Sequence, residues 1–154
     1  MTQKTNLKDV TFLIPLRLDS IERVENLQLV IDFLSTHFDT NIHILEATRI
    51  NNHLLPRLLP ETVHITFVED YDPIFYRTLY INQMVKKCET PYVAIWDADV
   101  IVAPEQIIEA VNLLRDEKFH FVLPYKDRFL DTSEIIRELY FKERDLKIFK
   151  DNEA

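Results

Sequence analysis

The sequence predicts an α/β fold, in which helices cover both faces of a mostly parallel sheet as a three-layer sandwich. Short apolar segments rich in β-branched residues alternate along the chain with segments whose apolar residues recur at helical spacing. The 154 residues, 47% hydrophobic and 29% charged, suit a globular protein with its own core. We therefore expect a single α/β domain over residues 1–154.

The first predicted strand covers residues 10–16, a run of apolar residues in which Pro15 is expected to end the hydrogen-bond ladder. A helix follows, with Asp19 as its expected cap and Glu22 completing a capping-box pattern. Apolar residues then recur at helical spacing up to Phe38. This strand and helix form the first unit of the predicted alternation.

The remaining elements continue the same alternation. Asp72 is expected to cap a helix that begins at Pro73, and Pro104 opens another helix. A charged segment with spaced apolar residues predicts an amphipathic helix near the end of the chain. Residues 47–63 are expected to form a loop with a helical turn. The other strands are predicted at residues 41–46, 64–68, 91–96 and 119–123, and the helices at 72–87, from 104, and 132–149.

The chain contains no glycine, which removes two common phosphate-binding signatures. Both the Walker loop and the G-x-G-x-x-G turn need backbone conformations that glycine supplies. The formal net charge of −8 disfavours nucleic acid as a partner, because such binding needs a basic face. Any bound phosphate is therefore expected to be held by side chains and a metal ion. A divalent cation held by carboxylates can supply the positive charge that a diphosphate requires.

Asp97 and Asp99 follow the fourth predicted strand, which is expected to be buried, and are the strongest candidates for a metal site. Side chains alternate along an extended strand, so both carboxylates lie on one side and would repel each other. A hard cation such as Mn2+ or Mg2+ removes that repulsion and completes its coordination with phosphate and water oxygens. A second acidic pair, Asp70 and Asp72, precedes Pro73, where a structural role in capping explains it.

Other metal-ligating side chains give weaker signals. The five histidines show no ligand spacing along the chain, so core or surface positions are expected for all of them. Cys88 has no partner for an internal disulfide and is expected to be a small buried residue. The histidines are His37, His43, His53, His64 and His120.

Several segments, taken in order, resemble the GT-A glycosyltransferases, in particular family 2 and its capsule-polysaccharide and galactosyltransferase-like relatives. The stretch PYVAIWDADVIV before a Pro-initiated helix is similar to the strand and D-x-D motif of that family. The opening TFLIPLRLDSIERVENL, the stretch FYRTLYINQMVKKCETPYVAIWDAD, and VLPYKDRFLDTSEIIREL resemble the neighbouring segments. The resemblance covers about residues 10–140 and extends the candidate site beyond the acidic pair.

The resemblance implies a nucleotide-sugar donor, most often a UDP-sugar, bound through Mn2+ or Mg2+. Asp99 would ligate the metal that bridges the diphosphate, while Asp97 would contact the ribose or a metal-bound water. Arg77 would reach the diphosphate or base from its helix, and Asn82 matches a helix asparagine of structural role. Pro15, Leu16 and Arg17 would line the nucleotide pocket, and Glu46, where the family often has Asp, would accept hydrogen bonds from the base.

Family members also carry an acceptor-binding half with a catalytic carboxylate, and we expect that half to be absent from this chain. Asp127 and Asp131 are the nearby acids, and neither is assigned as the base. The leading interpretation is a glycosyltransferase donor domain for glycan or polysaccharide synthesis, with an unidentified saccharide acceptor. The alternative is a non-catalytic relative that binds a partner chain, or a second copy, through its C-terminal helix. A nucleotidyltransferase or phosphorylated switch domain ranks third.

Two expectations concern where the protein acts. No apolar run approaches the roughly 20 residues that span a bilayer, and the first residues are polar, unlike a signal peptide. We therefore expect a cytoplasmic protein without a transmembrane segment, with a peripheral position at the inner membrane as a further option.

Overall fold

A computed structural model describes residues 3–125 and 130–151 of the chain. The chain divides into two compact units, Met1–Ile101 and Val102–Ala154. The first unit contains the sheet and nearly all of the predicted site residues. The second unit contains three of the helices.

The sheet of the first unit has four strands, all of them parallel, in the order β3-β2-β1-β4. In register, Leu16 lies beside Glu46, which lies beside Phe67 on the next strand. A parallel sheet of this kind needs crossover helices and carries apolar residues on both faces. The α/β class and the parallel sheet predicted from the sequence are therefore confirmed. The strands are β1 (Thr5–Leu16), β2 (Phe38–Thr48), β3 (His64–Glu69) and β4 (Tyr92–Ile95).

Helices pack on both faces of this sheet. Tyr80 and Met84 of α3 (Arg77–Val85) form a buried cluster with Leu13 and Leu45 of the central strands. Side chains alternate along β1, so the neighbouring Phe12 points to the opposite face. There Phe12 stacks on Phe38, which in turn contacts Phe33 of α1 (Ile21–His37). The two helices thus complete three layers within the first unit.

The start of α1 differs from the capping pattern read from the sequence. Ser20, not Asp19, is the cap: its hydroxyl accepts a hydrogen bond from the Arg23 backbone N–H at 3.2 Å. Asp19 instead forms an ion pair with the Arg23 side chain at 3.0 Å. The hydroxyl lies one residue closer to the first turn, where it reaches the free N–H groups. Pro15 likewise lies within β1, paired with Leu45, and the ladder continues to Leu16.

The helix predicted from residue 72 begins later, at Arg77. Asp70 and Asp72 instead accept hydrogen bonds from backbone N–H groups two residues ahead, each at 2.9 Å. Such local bonds hold the backbone in turns and compete with helix formation. The predicted structural role of this acidic pair is therefore turn formation before the helix. The loop after β2 contains the expected helical turn, α2 (Leu55–Leu58).

β4 was predicted as a buried strand, but it lies at the edge of the sheet. Val93 and Ile95, on the face shared with Leu13, are 38% and 49% exposed. On the other face Trp96, just after the strand, is buried and packs edge-on against Phe12. An apolar run therefore did not guarantee burial on both faces, because an edge strand has a neighbour on one side only.

The second unit contains α4 (Pro104–Arg115), α5 (Glu134–Glu143) and α6 (Lys147–Asp151). Pro104 occupies the first turn of α4, as predicted. Residues 119–123 do not form the predicted fifth strand: β-rich sequence forms a strand only where a neighbour satisfies its backbone groups, and none pairs with it among the described residues. The predicted helix over 132–149 is divided at Arg144, which ends α5 in a left-handed conformation with φ 55°.

The glycine-free chain places other residues where glycine is usually found. His53, Glu117 and Arg144 all have positive φ, between 54° and 55°. Glu117 and Arg144 lie directly after helices, where a left-handed residue stops the helical hydrogen bonding. Among the described residues, no helix is both long and apolar enough to span a bilayer.

Candidate functional site

Polar side chains collect where the parallel strands end. Arg17 follows β1, Arg49 follows β2, Asp70 follows β3, and Asp97 lies two residues beyond β4. In a parallel sheet these ends share one edge, which is where open α/β folds place their ligands. The predicted site residues of the first unit thus lie on the side of the sheet at which the parallel strands end. We call this side the carboxyl edge, as distinct from the lateral edge formed by β4.

An open cavity of about 480 Å³ lies at the ends of β1, β2 and β3. Two arginines and three aspartates are among its lining residues, so the cavity carries charges of both signs. Such a volume is within the range of small-molecule sites in proteins. Its lining residues include Arg17, Asp19, Arg49, Asn52, Asp70 and Asp72.

Arg17 organises the wall of this cavity. Its Nε donates to the Ala47 carbonyl at 3.1 Å, Nη1 to the Pro73 carbonyl at 3.2 Å, and Nη2 to Asp70 at 2.5 Å. Its guanidinium also lies over the Phe75 ring, 5.6 Å from the centroid. The planar fork of arginine suits several acceptors at once. Arg17 therefore connects the ends of β1, β2 and β3 and uses three of its five N–H donors to do so.

Asp70 receives two strong donors. Tyr80 Oη donates to Asp70 Oδ2 at 2.5 Å, the oxygen that also accepts from Arg17. The Tyr80 hydroxyl, the Asp72 backbone N–H and Arg17 hold the pKa of Asp70 below its ordinary 3.8. Burial and the Asp70 carboxylate raise the pKa of Tyr80 to about 12. Arg17, Asp70 and Tyr80 thus form one charged network that fixes the cavity wall to α3.

Arg77, the first residue of α3, reaches the predicted metal pair. Its Nη2 donates to Asp97 Oδ1 at 2.6 Å, and both side chains are about half exposed. Asp99 is also exposed. Arg77 and Asp97 are 20 residues apart in sequence, and the fold brings them together. The positively charged guanidinium of Arg77 is therefore located at the acidic pair.

The donor set of the acidic pair is compatible with a hard metal ion. Asp99 and the second oxygen of Asp97 are carboxylate oxygens at an exposed turn, which Mg2+ and Mn2+ prefer. Two protein carboxylates leave the remaining positions for water and phosphate. Among the described residues, no group of three or more His, Cys, Asp or Glu side chains is placed to hold a metal. A metal here would therefore need oxygens from its ligand.

Glu46 is the most unusual acid of the first unit. It is 2% exposed near the end of β2, and its Oε1 is buried without a hydrogen-bond partner among the described residues. Burial raises the pKa of Glu46 above its ordinary 4.5, and His53 opposes that shift. A buried carboxyl with an unpaired oxygen costs free energy that the fold does not recover. The Oε1 atom of Glu46 thus accepts no hydrogen bond from the described residues and could accept one from a ligand.

The other predicted residues occupy varied positions. Pro15 and Leu16 are buried, so the cavity lining begins only at Arg17. Asn82 is exposed on α3. Asp131 is exposed just before α5 in the second unit, and Asp127 lies outside the described residues.

Three features of the first unit were missed by sequence reasoning. Arg49 lines the cavity, but nothing in its local sequence distinguishes it from a surface arginine. Tyr80 lies in a helical pattern that indicated only packing, and its hydroxyl role needs Asp70 nearby. His43 and His64 are neighbours on β2 and β3, although they are far apart in sequence. Strand pairing, once predicted, could have indicated the histidine pair.

Comparisons with known proteins find only distant structural likenesses. No family model matches the chain, and no curated protein matches it. A crystal structure from Desulfovibrio desulfuricans, of a protein assigned as a nucleotide-diphospho-sugar transferase, is similar at a TM-score of 0.47 and 14% identity. The likeness covers 71% of this chain, which spans about half of that structure (55%). At this level it does not bear on the chemistry of the site.

Proposed function

We propose that this chain binds a nucleotide-sugar donor, with a UDP-sugar as the expected class, as the donor-binding part of a GT-A-type glycosyltransferase. The observation that carries the proposal is the meeting of Arg77 with Asp97 beside Asp99 at the carboxyl edge of the sheet. A diphosphate needs positive charge, and this edge offers an arginine together with a carboxylate pair suited to a divalent cation.

Different residues along the carboxyl edge would bind different parts of the donor. Asp99 and Asp97 would hold Mn2+ or Mg2+ against the diphosphate, and Arg77 would keep Asp97 oriented. The cavity beside Arg17 would take the nucleoside, with its wall held in place by the network to Asp70 and Tyr80. The bound metal would supply Lewis-acid stabilisation of the departing nucleoside diphosphate. Transfer to a saccharide acceptor would need a base, which is not assigned among the described residues.

The test is calorimetric titration of the chain with UDP and Mn2+, compared with the Asp99→Ala variant. We expect saturable binding that requires Mn2+ and weakens by roughly tenfold or more in Asp99→Ala, since a charge-assisted metal contact is lost. Asp39→Ala is the matched control, because Asp39 is an exposed acid at the opposite end of the strands, paired with Lys8. It should leave the binding unchanged.

Two results would count against the donor-binding proposal. Equal affinities for the parent and Asp99→Ala would show that the acidic pair does not hold the metal. The absence of detectable heat from the parent chain, at millimolar UDP and Mn2+, would contradict donor binding itself.

The alternative, a non-catalytic interaction subunit, is favoured by one observation. Ile135 and Leu139 lie one turn apart on α5 and are 73% and 39% exposed. Exposed apolar side chains on one helix face are typical of a contact surface. Sedimentation velocity over a range of concentrations would distinguish the two functions: self-association that Ile135→Glu abolishes would support the subunit, and a monomer at all concentrations would oppose it.

A further inference from the structure

Two histidines lie side by side on the α3 face of the sheet, one in the middle of β2 and the other at the start of β3. His43 and His64 are direct partners in the parallel register, and their ring centroids are 4.4 Å apart. His43 is buried, whereas His64 is exposed. The pair is therefore reachable from solvent on one side and enclosed on the other. In the sheet, β2 and β3 lie on the other side of β1 from β4, the strand that leads to the acidic pair.

Both imidazoles point to one place. His43 Nε2 lies 2.9 Å from the Thr66 hydroxyl oxygen, and His64 Nε2 lies 3.4 Å from the same oxygen. Both ring nitrogens therefore face the same oxygen atom, as the ligands of a shared bound atom would.

The environment keeps the His43 ring neutral. Burial, then the positive charges of His64 and Lys87, lower the pKa of His43 to about 4. A neutral imidazole at physiological pH offers a nitrogen lone pair, whereas an oxyanion would need protonated rings as donors. Two imidazole nitrogens that face one atom are, by their geometry, a ligand set for a transition-metal ion.

We propose that His43 and His64 form a two-imidazole binding site for a transition-metal ion of the Cu2+, Ni2+ or Zn2+ type. Imidazole nitrogen suits these ions, whereas the carboxylates that follow β4 suit Mg2+ and Mn2+. The two Nε2 atoms hold the ion in place of their hydrogen bonds to the Thr66 hydroxyl, and water completes its shell. This site is independent of the proposed donor binding.

Lys87 sets a limit on the affinity. Its positive charge acts on His43, so it also repels a bound cation. Two protein ligands rather than three or four likewise predict moderate binding. Removal of the lysine charge should therefore strengthen metal binding, which a purely structural role for the histidines would not produce.

The experiment is a titration with Cu2+ alone, followed by electron paramagnetic resonance and calorimetry. The resonance spectrum counts the coordinating nitrogens, so it separates this site from the oxygen-only carboxylate pair. We expect splitting from two imidazole nitrogens in the parent chain. His64→Ala should lose that pattern and bind roughly tenfold more weakly or worse, since even loss of an outer-shell partner costs that much. Lys87→Ala should bind several times more tightly.

His120→Ala is the matched control, because His120 is exposed in the second unit and should leave spectrum and affinity unchanged. His64 is exposed on an edge strand, so its replacement should preserve the fold, which circular dichroism will check. A spectrum without two-nitrogen splitting in the parent chain would overturn the proposal. So would an unchanged spectrum and affinity in His64→Ala. Neither result depends on whether the chain binds UDP.

Discussion

At the scale of single residues, two acids of the carboxyl edge have pKa values shifted in opposite directions. Asp70 receives hydrogen bonds from Tyr80, Arg17 and a backbone N–H, which stabilise its charged form. Glu46 is buried with an unpaired oxygen, which destabilises its charged form. The ionised form of Asp70 therefore stabilises the fold, whereas the ionised form of Glu46 destabilises it. The two acids thus change stability in opposite directions as the pH falls.

Asp70→Asn tests the network around Arg17. The folded-state pKa of Asp70 lies below 3.8, so its ionised form stabilises the fold above that pH, and the stabilisation is lost as the pH falls through the lower, folded-state value. We expect the variant to be less stable than the parent at pH 7 and the difference to shrink below pH 3.8. Urea unfolding at pH 7 and at pH 3 measures it. A constant difference across that range would contradict the prediction.

Glu46→Leu tests the buried carboxyl. The folded-state pKa of Glu46 lies above 4.5, so its charged form destabilises the fold at neutral pH, and that cost declines as the pH falls through the folded-state value towards 4.5. Removal of an unpaired buried acceptor should raise the free energy of unfolding at pH 7 by about 1–3 kcal/mol. The gain should be smaller at pH 4.5. Urea unfolding at the two pH values measures it, with Glu46→Gln as the polar control.

The same variant also connects stability with function. If Glu46 accepts a hydrogen bond from a nucleotide base, as the family resemblance implied, Glu46→Leu should bind UDP more weakly while folding more stably. Costly buried groups of this kind are typical of functional sites. Unchanged UDP binding in the stabilised variant would limit Glu46 to a structural role.

At the scale of elements, the start of α1 shows how a cap is chosen. Asp19 and Ser20 are both good capping residues, and only the backbone geometry selects between them. Ser20 has extended φ and ψ of −149° and 157°, and its hydroxyl reaches the Arg23 N–H. Asp19 is left to a surface ion pair with Arg23.

Ser20→Ala should therefore destabilise the protein by about 1 kcal/mol, since a helix N–H loses its acceptor. Asp19→Ala should cost about 0.3–0.5 kcal/mol, the usual value of an exposed ion pair spaced four residues apart. Urea midpoints of the two variants, measured beside the parent at pH 7, distinguish the cap from the ion pair. A larger loss of stability in Asp19→Ala than in Ser20→Ala would indicate that Asp19 is the cap.

At the scale of the whole molecule, sequence reasoning was most successful where a pattern has one physical cause. The apolar segments before Arg17, Glu46 and Asp97 became parallel strands, because parallel strands need apolar residues on both faces. The alternation with helices then predicted the common carboxyl edge. The positions of Arg17 and Asp97 at that edge followed from the alternation alone.

Other features depended on tertiary context that a single sequence does not carry. The burial of Glu46 and the exposure of Ile95 depend on which strands lie beside them. The strand predicted at residues 119–123 had suitable residues but no paired neighbour among the described residues. The Tyr80–Asp70 contact needs α3 and the end of β3 to meet. Spatial neighbours rather than local preference decided these cases.

The edge position of β4 gives Asp97 and Asp99 a consequence for solubility. An edge strand with exposed Val93 and Ile95 is a potential template for pairing with another molecule. Two carboxylates follow it directly, and although Asp97 is paired with Arg77, they place acidic groups where a second, identical edge would approach. Neutralisation of these charges, by substitution or by a bound cation, should therefore increase the tendency to aggregate. Ligand occupancy and colloidal stability would then be coupled through the same two carboxylates.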